Sequence, residues 1–491
     1  MTARDVLEAL GGLVRSSEGV SDWAATRAGV TCDSRRVVRD GVFVALRGLK
    51  ADGLDFVPEA VANGAALIVS ESERPAHLTA PWVVVSEGRL ALALIGATAH
   101  RHPSREIPVV GVTGTNGKTT TAYLLASVLD AANLSAGVLG TVHYRVGQDA
   151  REASRTTPEA PEVQGLLREM IAAGNRSCVM EVSSHALALK RVDGTRFAAA
   201  IFTNLTRDHL DFHGDMEQYF AAKRRLFEML EPAAPGVINA DDPRASALVA
   251  VCATSLTYGM QKAADVRPED LVMDLHGVRF RAATPAGPVD IVSTLVGRPN
   301  VYNLLAATAA ATALGVPGAA ISDGLARLAG VPGRFELVSA PGQDITVVVD
   351  YAHTDDALQN VIKTCRELNP ARLIVVFGCG GNRDKTKRPR MGAVVDQHAD
   401  FAIVTSDNPR KEKPEDIIED IRPGMKRGNY EVIVDRKEAI FRAIAMAQAR
   451  DIILIAGKGH ETYQEFADHT SPFDDVAVAR EALEGKRVDP A

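Results

Sequence analysis

The residues best suited to chemistry form a glycine-rich turn at positions 114–120, with the sequence GTNGKTT. An apolar run at 107–112 precedes the turn, and apolar residues at helical spacing follow it at 124–129. A strand, a loop and a helix N-terminus in this order direct backbone N–H groups and a lysine at nucleotide phosphates. The common P-loop has four residues between its first glycine and the Gly-Lys pair, whereas Gly114 leaves two and Gly111 leaves five. The sequence therefore predicts a nucleoside triphosphate site in a variant P-loop, in preference to an ordinary Gly-rich turn.

Two further polar groups accompany apolar runs that are predicted as strands of the same sheet. Glu181 lies at the end of a run at 179–182, and His209 follows a second run at 198–202. Ligands of open α/β sheets lie beyond the carboxyl ends of the strands, so both groups are candidate magnesium ligands near the phosphates. A single glutamate after a strand is more often a cap or an ion-pair partner. The convergence of these strand ends on one P-loop favours the metal site.

The segment 216–230 is predicted as a helix with an unexpected lysine in its apolar stripe. One face carries Tyr219, Lys223, Leu226, Phe227 and Leu230. A lysine in such a stripe commonly snorkels, with its stem buried and its amine in water. Alternatively, the amine is desolvated, its pKa is lowered and it is free to react, for example with carbon dioxide to give a carbamate that can ligate magnesium. The pattern leaves both alternatives open.

Composition bounds the class of protein. The 491 residues predict about three domains at about 150 residues each. The net charge of −7 argues against nucleic-acid binding, because phosphate neutralisation needs clustered Lys and Arg. The five cysteines lack zinc-ligand spacing, and neither a charged-then-apolar leader nor a run of about 18 apolar residues occurs. We therefore expect a cytoplasmic protein that engages no nucleic acid and no membrane, and that acts as a monomer.

Residues 1–105 are predicted to form a small N-terminal α/β domain. Short strands are expected at 42–45, 66–69 and 82–85. A helix is expected over 56–63. The polar cluster at 31–36, TCDSRR, has no helical stripe, so it is either a turn or a recognition loop for an anionic or polar ligand. The segment 101–108 has two prolines and is interpreted as the first linker.

Residues 106–333 alternate strands and helices, which indicates a mostly parallel sheet around the P-loop. Within this central domain, residues 254–294 favour β-hairpins, and an Ala-rich helix is expected from 297 to 314. Asn300 and Asn303 are candidate caps of that helix first and nucleotide contacts second.

Residues 334–491 repeat one pattern four times, an apolar strand that ends in a polar cluster. The strands are expected at 345–349, 373–377, 401–405 and 452–456. Amphipathic helices at 357–368 and 437–449 complete a doubly wound, Rossmann-like domain with one functional edge. The glycine run from Gly378 lacks the G-x-G-x-x-G spacing, which argues against a nicotinamide cofactor. An edge with Arg383, Arg410 and Glu461 suits a zwitterion with carboxylates and amines, because the Arg fork matches a carboxylate.

Five motifs in order along the chain carry a family resemblance. They are TGTNGKTTT, MEVSSHAL, TNLTRDHLDFHG followed by Lys223, VPGRFE and DYAHT. Together they resemble the Mur ligases of peptidoglycan synthesis over nearly the whole chain. DNPR at 407–410 with GKGHE at 457–461 is similar to the members that add meso-2,6-diaminopimelate to UDP-N-acetylmuramoyl-L-alanyl-D-glutamate. Alternatives are the same chemistry with L-lysine, a folylpolyglutamate synthetase-like ligase, or a nucleotide-binding scaffold without turnover.

The resemblance implies that ATP and Mg²⁺ serve an acyl-phosphate mechanism, and it assigns roles to residues. The catalytic set is Lys118, Glu181, His209 and Lys223, the last as its carbamate. ATP would contact Gly114, Thr115, Asn116, Gly117, Lys118, Thr119, Thr120, Asn300, Arg334 and Asp350. Metal ions would contact Thr119, Thr120, Glu181, His209 and Lys223. The UDP-muramoyl dipeptide would contact Ser34, Thr156, Thr157, Ser183 and Arg191. Diaminopimelate would contact Arg383, Asp407, Asn408, Pro409, Arg410, Gly457 and Glu461.

Three positions depart from the family pattern. Leu189 replaces a usual glutamine, which puts one substrate hydrogen bond in doubt. Asp355 replaces a proline after DYAHT, and Pro299 replaces an aromatic residue before Asn300. These two affect loop shape more than chemistry.

Overall fold

Three large sheets of five, eight and six strands, each with helices packed on it, follow one another along the chain. The computed structural model describes residues 1–20, 29–48, 51–339 and 343–488. The first sheet has the strand order β1-β5-β4-β3-β2. Its strands are β1 (Val14–Glu18), β2 (Val30–Thr31), β3 (Gly41–Ala45), β4 (Ala65–Ser70) and β5 (Trp82–Val85). Its helices are α1 (Ala3–Leu10), α2 (Val57–Ala62) and α3 (Gly88–Ala99).

The alternation of side chains along β3 explains why this sheet is covered on both faces. Val42 and Val44 pack with α1 and α3, whereas Phe43 and Ala45 pack with α2. The three strands predicted in this region are β3, β4 and β5. The predicted turn or recognition loop at 31–36 is the end of β2 followed by a short 3-10 helix, Ser34–Arg36.

The second sheet has eight strands in the order β13-β12-β11-β6-β10-β7-β8-β9. Its strands are β6 (Val109–Thr113), β7 (Ala136–Leu139), β8 (His143–Val146), β9 (Asp149–Glu152), β10 (Ser177–Glu181), β11 (Ala199–Phe202), β12 (Gly236–Asn239) and β13 (Ser255–Tyr258). The helices are α4 (Lys118–Ala131), α5 (Ala160–Ala172), α6 (Ser184–Ala188), α7 (Leu210–His213), α8 (Met216–Glu228), α9 (Ala245–Val249), α10 (Arg298–Ala313) and α11 (Gly318–Arg327). The strands from β13 to β7 are parallel, and β8 and β9 are antiparallel additions.

The strand β6 lies inside this sheet, so the P-loop leaves the sheet near its centre. Val110 and Val112 belong to the apolar core beneath α4 and α10, whereas Val109 belongs to the core on the opposite face. A separate antiparallel sheet contains β14 (Arg267–Asp274), β15 (Gly277–Ala283) and β16 (Val289–Ser293). The hairpin prediction for 254–294 is therefore correct for these strands and wrong for β13, which joins the parallel sheet.

The third sheet has the order β17-β18-β22-β19-β20-β21 and is parallel except for β17. Its strands are β17 (Glu336–Leu337), β18 (Thr346–Asp350), β19 (Leu373–Phe377), β20 (Phe401–Val404), β21 (Tyr430–Val432) and β22 (Ile452–Ala456). A hairpin of β23 (Tyr463–Glu465) and β24 (Thr470–Pro472) follows. The helices are α12 (Asp355–Glu367), α13 (Arg388–His398), α14 (Pro414–Ile421), α15 (Arg436–Met446) and α16 (Asp475–Val488).

The three-part α/β fold with a central, mostly parallel sheet is confirmed. We propose domain limits at 1–105, 106–333 and 334–491, because each large sheet lies within one of these ranges. Within the described residues, no helix is both long and apolar enough to cross a membrane.

A buried ion pair joins α15 to α16 beneath the third sheet. Arg436 Nε and Nη2 each donate to a carboxylate oxygen of Asp475 over 2.8 Å, and both side chains are 0% exposed. We expect Asp475→Ala to lower the free energy of unfolding by about 3–5 kcal/mol, because the guanidinium is left buried without its counter-ion. Urea unfolding measures this difference. The matched control is Glu481→Ala, which removes the exposed Lys437–Glu481 pair between the same two helices and should cost about 0–1 kcal/mol. Equal losses in the two variants would contradict the argument.

Candidate active site

Two glycines of the P-loop occupy positions that other residues would fill badly. Gly114 has φ 147° and Gly117 has φ 86°, both in the region that favours glycine. A Cβ on Gly114 would lie 1.9 Å from Thr203 Oγ1, and one on Gly117 would lie 2.4 Å from Asn303 Oδ1. The loop therefore passes closely against Thr203, which follows β11, and against α10, and both contacts favour glycine.

Residues just after β11 hold the P-loop in shape. The Thr115 amide donates to Asn204 O over 2.9 Å, and the Asn116 amide donates to Asn204 Oδ1 over 3.0 Å. The Asn116 and Thr206 side chains also donate to Asp356 Oδ2 of α12, over 3.0 and 2.8 Å. Asn204, Thr206 and Asp356 are not among the predicted site residues. Their positions just after a strand and in the first turn of a helix are the sequence feature that could have indicated them.

Two lysine amines share one backbone oxygen at the P-loop. Lys118 Nζ donates to Gly114 O over 3.0 Å and to Thr115 O over 2.8 Å, while Lys223 Nζ donates to the same Gly114 O over 2.7 Å. Lys223 is 1% exposed and its amine lies 4.6 Å from the centre of the Tyr219 ring. The snorkelling interpretation is therefore wrong, because the amine does not reach solvent.

Burial changes the protonation of both amines. It lowers the pKa of Lys118, and it holds the pKa of Lys223 well below its usual range, with the nearby Lys118 charge as the second cause. A neutral Lys223 amine can donate to Gly114 O and still offer a lone pair for reaction. Tyr219, Leu226 and Phe227 are buried beside it on the predicted face of α8. Leu230 follows the end of this helix and is half-buried.

Glu181 lies at the end of β10 and faces the start of α4. Its Oε2 accepts from Thr119 Oγ1 over 3.1 Å, and its Oε1 accepts from the Thr141 amide over 2.8 Å. Arg334 Nη2, from the segment before the third sheet, donates to the same Thr119 hydroxyl over 3.2 Å. Thr120 is buried in α4. Thr119 is thus the threonine that joins the P-loop, Glu181 and Arg334.

The residues present suit a magnesium ion that keeps waters and phosphate oxygens. In the part of the chain that the structure describes, no three His, Cys, Asp or Glu side chains come together as a complete metal cage. The Glu181 carboxylate at the end of β10 and the Thr119 hydroxyl at the N-terminus of α4 are hard oxygen donors, and a few such donors are the usual protein share of a Mg²⁺–nucleotide site. These two residues would hold the ion.

His209 is the N-cap residue of α7 and has a left-handed backbone conformation, φ 54°. Its ring centre is 4.8 Å from that of His185 and 6.2 Å from that of Tyr219. Burial lowers the pKa of His209 to about 4, so its imidazole is neutral at neutral pH. A neutral imidazole is the form that ligates metals.

Four of the five residues assigned to the muramoyl peptide form one network around Glu181. Thr157 Oγ1 donates to Glu181 O over 2.8 Å and accepts from the Ser183 amide over 3.1 Å. The Thr156 and Thr141 hydroxyls lie 3.1 Å apart, and Arg191 Nη1 donates to Thr157 O over 3.2 Å. The fifth residue, Ser34, lies in the first domain, where its hydroxyl donates to Glu59 over 2.5 Å.

A cavity of about 790 Å³ opens between the second and third sheets. Thr141, Thr156 and His209 line one wall, from the central domain. The opposite wall comes from the third domain and includes Tyr351, His353, Gly380, Arg383, Asp407, Asn408, Arg410, Gly457, His460 and Glu461. The cavity therefore reaches Thr141, a hydrogen-bond partner of Glu181, on one side and the DNPR and GKGHE motifs on the other.

A fully buried lysine, Lys458, connects the GKGHE motif to the DNPR motif. Lys458 Nζ donates to Asn408 Oδ1 over 3.0 Å and to Glu461 Oε2 over 3.2 Å, and Asn408 Nδ2 donates to Glu461 Oε2 over 2.8 Å. Burial raises the pKa of the Glu461 carboxyl. Gly457 has φ 120°, and a Cβ there would lie 2.6 Å from Asp407 Oδ2. Lys458 was not among the predicted site residues, although it stands inside GKGHE.

The remaining diaminopimelate candidates lie on two neighbouring loops. Arg410 Nη1 donates to Gly381 O over 3.0 Å, so the loop after β19 contacts the loop after β20. Arg383 is exposed at the rim of the cavity. Pro409 O would lie 1.8 Å from a Cβ on Gly381, which shows how closely the two loops pass.

The three residues assigned to the adenosine side lie on separate elements. Arg334 stacks on the Tyr351 ring at 4.6 Å. Asp350 accepts from the Phe335 and Ala352 amides over 2.7 and 2.8 Å, and burial raises the pKa of its carboxyl. Asn300 is buried and donates to Val296 O over 2.9 Å.

The predicted helix caps at Asn300 and Asn303 are wrong. The helix α10 begins at Arg298 with Gly297 as its N-cap, so both asparagines lie inside the helix. Asn303 instead places its Oδ1 against Gly117 of the P-loop. The three departures from the family pattern lie at helix ends: Leu189 caps the C-terminus of α6, Pro299 is in the first turn of α10, and Asp355 begins α12.

The chain thus has three α/β parts, and residues of the central part, among them Thr141, Thr156 and His209, face the DNPR and GKGHE motifs across one cavity. Three family models match in chain order. They are the Mur ligase family catalytic domain at 27–102, the Mur ligase middle domain at 112–311 and the Mur ligase glutamate ligase domain at 333–459. The chain belongs to the Mur ligase family.

Curated relatives and a solved structure match along nearly the full length. The chain is 48% identical over 462 residues to the UDP-N-acetylmuramoyl-L-alanyl-D-glutamate--2,6-diaminopimelate ligase of Solibacter usitatus, covering 93% of each chain. It is 47% identical to the protein of the same name from Gloeobacter violaceus, covering 94% of each. A solved structure of a ligase of this name matches with a TM-score of 0.69 and 34% identity, over 98% of this chain and 99% of that one.

Proposed function

We infer that this chain is an ATP-dependent amide ligase that joins 2,6-diaminopimelate to the D-glutamate of UDP-N-acetylmuramoyl-L-alanyl-D-glutamate in peptidoglycan biosynthesis. The observation that supports this conclusion best is the shared cavity, in which Thr141, a hydrogen-bond partner of Glu181, lies opposite the DNPR and GKGHE motifs. An amide ligase needs this arrangement, because the activated carboxylate and the incoming amine must meet in one space that excludes water.

The chemistry takes two steps. The γ-carboxylate of the D-glutamyl substrate attacks the γ-phosphorus of ATP, and ADP leaves as an acyl phosphate forms. The amine of diaminopimelate then attacks the acyl carbon, and phosphate leaves with the formation of the amide bond. We propose that Lys118 offsets negative charge on the transferred phosphoryl group, since its amine lies at the P-loop carbonyls. Magnesium, held by Thr119 and Glu181, would supply further charge neutralisation.

We propose that Lys223 works as a carbamate. Its amine is buried, has a lowered pKa and lies at the same carbonyl as the Lys118 amine. The neutral amine would add to carbon dioxide with loss of one proton and give a carbamate anion, which would pair with Lys118 and, with His209, would offer donors to a second magnesium ion. Burial and the neighbouring Lys118 charge both lower the pKa of Lys223 and favour the neutral amine that this addition requires, which supports the assignment.

The substrate contacts are proposed from the same geometry. Thr156, Thr157, Ser183 and Arg191 lie around Glu181 and would bind the muramoyl peptide, with Ser34 at the uridine end. Asn300, Arg334 and Asp350 would lie on the adenosine side. Asp407, Asn408, Arg410, Gly457 and Glu461, with Pro409 and Arg383, would bind the meso form of diaminopimelate. We place the reaction in the cytoplasm and propose a monomer that engages neither nucleic acid nor membrane.

Phosphate release tests the proposed function. Release should be fast only when ATP, the UDP-muramoyl dipeptide and diaminopimelate are all present, because the acyl phosphate turns over through the amine. Release that is no faster with diaminopimelate than without it would overturn the conclusion. Competition among the diaminopimelate stereoisomers and L-lysine identifies the amine, and preferential incorporation of lysine would favour the lysine alternative.

A further inference from the structure

Arg410 adopts a backbone conformation that needs external support. Its φ is 54°, in the left-handed region that is uncommon for residues other than glycine. The Arg410 amide donates to Glu465 O over 2.9 Å, so the support comes from β23, the first strand of the C-terminal hairpin. Glu465 lies outside both DNPR and GKGHE.

The side chain of Glu465 also fixes the guanidinium of Arg410. Arg410 Nε donates to Glu465 Oε2 over 2.8 Å, and Nη1 donates to Gly381 O over 3.0 Å. Within the described residues, Nη2 has no hydrogen-bond acceptor that belongs to the protein. Arg410 is 22% exposed and lines the cavity, so the plane of the guanidinium is set while one nitrogen stays available to a ligand carboxylate.

The backbone of Glu465 orients a second residue of the DNPR motif. The Glu465 amide donates to Asn408 Oδ1 over 3.0 Å, and Lys458 Nζ donates to the same oxygen. Two donors at Oδ1 assign the orientation of the Asn408 amide group, and its Nδ2 therefore faces Glu461. The preceding residue, Gln464, donates to Asp407 O over 2.7 Å.

The strand that carries these contacts is itself held in place. Glu465 pairs with Thr470 of β24, and the Phe466 amide donates to His469 O over 2.9 Å at the turn. The rings of Phe466 and His469 stack at 4.8 Å. The hairpin is thus a closed unit that presents Gln464 and Glu465 to residues 407–410.

We propose that Glu465 is a positioning residue that aims the Arg410 guanidinium at the distal carboxylate of the amino-acid substrate. The inference rests on the proposed function, since it deepens the account of the same amino-acid site. A carboxylate at this place would repel an anionic ligand by charge alone. Its contribution is therefore geometric: it occupies Nε, so the guanidinium keeps one fixed plane in which Nη2 can meet the substrate carboxylate.

Three variants of Glu465 separate position from charge. Glu465→Ala should raise the KM for diaminopimelate about tenfold, because the misplaced Arg410 loses one charge-assisted hydrogen bond to the substrate carboxylate. The kcat and the KM for ATP should stay within about twofold of the wild-type values. Glu465→Gln keeps an acceptor at the same reach and should restore a KM near the wild-type value. Glu465→Asp keeps the charge but shortens the arm, so its KM should rise like that of the alanine variant. The control is Glu431→Ala, which removes an exposed pair with Arg442 in the same domain.

A double variant tests whether Glu465 acts through Arg410. If it does, Glu465→Ala with Arg410→Ala should have the same KM for diaminopimelate as Arg410→Ala alone. Full additivity, an unchanged KM in Glu465→Ala, or equal rises for diaminopimelate and ATP would overturn the inference. If the alanine variant does not fold, as judged by thermal melting, Glu465→Asp decides the question.

The wild-type assay distinguishes failure of the proposed function from failure of this inference. A wild-type protein whose phosphate release does not respond to diaminopimelate contradicts the proposed function. A responsive wild type together with an unchanged KM in Glu465→Ala contradicts only this inference.

Discussion

Lys223→Ala is expected to lower kcat by about three orders of magnitude while the protein stays folded and binds ATP. The reason is that the substitution removes the buried amine that lies with Lys118 at Gly114 O, and with it the proposed carbamate. Losses of this size are typical when a group that acts mainly in the transition state is deleted. Phosphate release with saturating substrates measures kcat. Added short-chain carboxylic acids should restore part of the activity, because they can occupy the space of the missing carbamate.

The matched control is Arg224→Ala on the next position of α8. Arg224 pairs with Glu228 on the exposed side of the helix and should leave kcat nearly unchanged. Lys223→Met provides a second comparison, since it keeps the length of the side chain without an amine. A Lys223→Met variant with wild-type kcat would refute a catalytic role for the amine, and a carbon dioxide-free buffer that leaves wild-type activity intact would argue against the carbamate.

Arg410→Ala is expected to raise the KM for diaminopimelate about 100-fold with little change in the KM for ATP. Arg410 is the arginine of DNPR and its planar fork lines the cavity, and loss of its charge-assisted hydrogen bond to a carboxylate costs about one to two powers of ten. Arg410→Lys should recover only part of the loss, because an ammonium cannot reproduce the fork. Initial rates at varied diaminopimelate and varied ATP separate the two constants.

Arg442→Ala serves as the control for that experiment. It removes an arginine from an exposed ion pair in the same domain, away from the cavity residues, and should change neither constant. A rise of the same size in both KM values for Arg410→Ala would show that the residue supports the domain rather than the amino acid.

Much of the fold was predictable because its buried strands are continuous apolar runs. The strands β18, β19, β20 and β22 lie within one or two residues of the predicted ranges, and their polar ends do form one edge of the cavity. The strands that were missed are short, polar or exposed. For example, β1 pairs antiparallel to β5 at a sheet edge and has the sequence VRSSE, which lacks an apolar signal.

The candidate site was less predictable wherever a residue's role depends on where its side chain points rather than on its residue type. The pattern placed Lys223 on the correct face of α8 but could not tell whether its amine meets solvent, because that depends on the P-loop carbonyl brought there by the sheet. Glu465 carries no sequence signal at all. Its contacts arise because the hairpin returns to the DNPR loop, some 55 residues after Arg410 in the chain.

The hydrogen bonds from Asn116 and Thr206 to Asp356 have a thermodynamic consequence for the affinities of the two ligands. They join the loop that would hold ATP to the first turn of a helix in the domain that would hold the amino acid. If both ligands bind more tightly to this joined arrangement, each one raises the affinity for the other. The coupling between two binding sites is reciprocal. The factor by which ATP tightens the binding of the amino acid therefore equals the factor by which the amino acid tightens the binding of ATP.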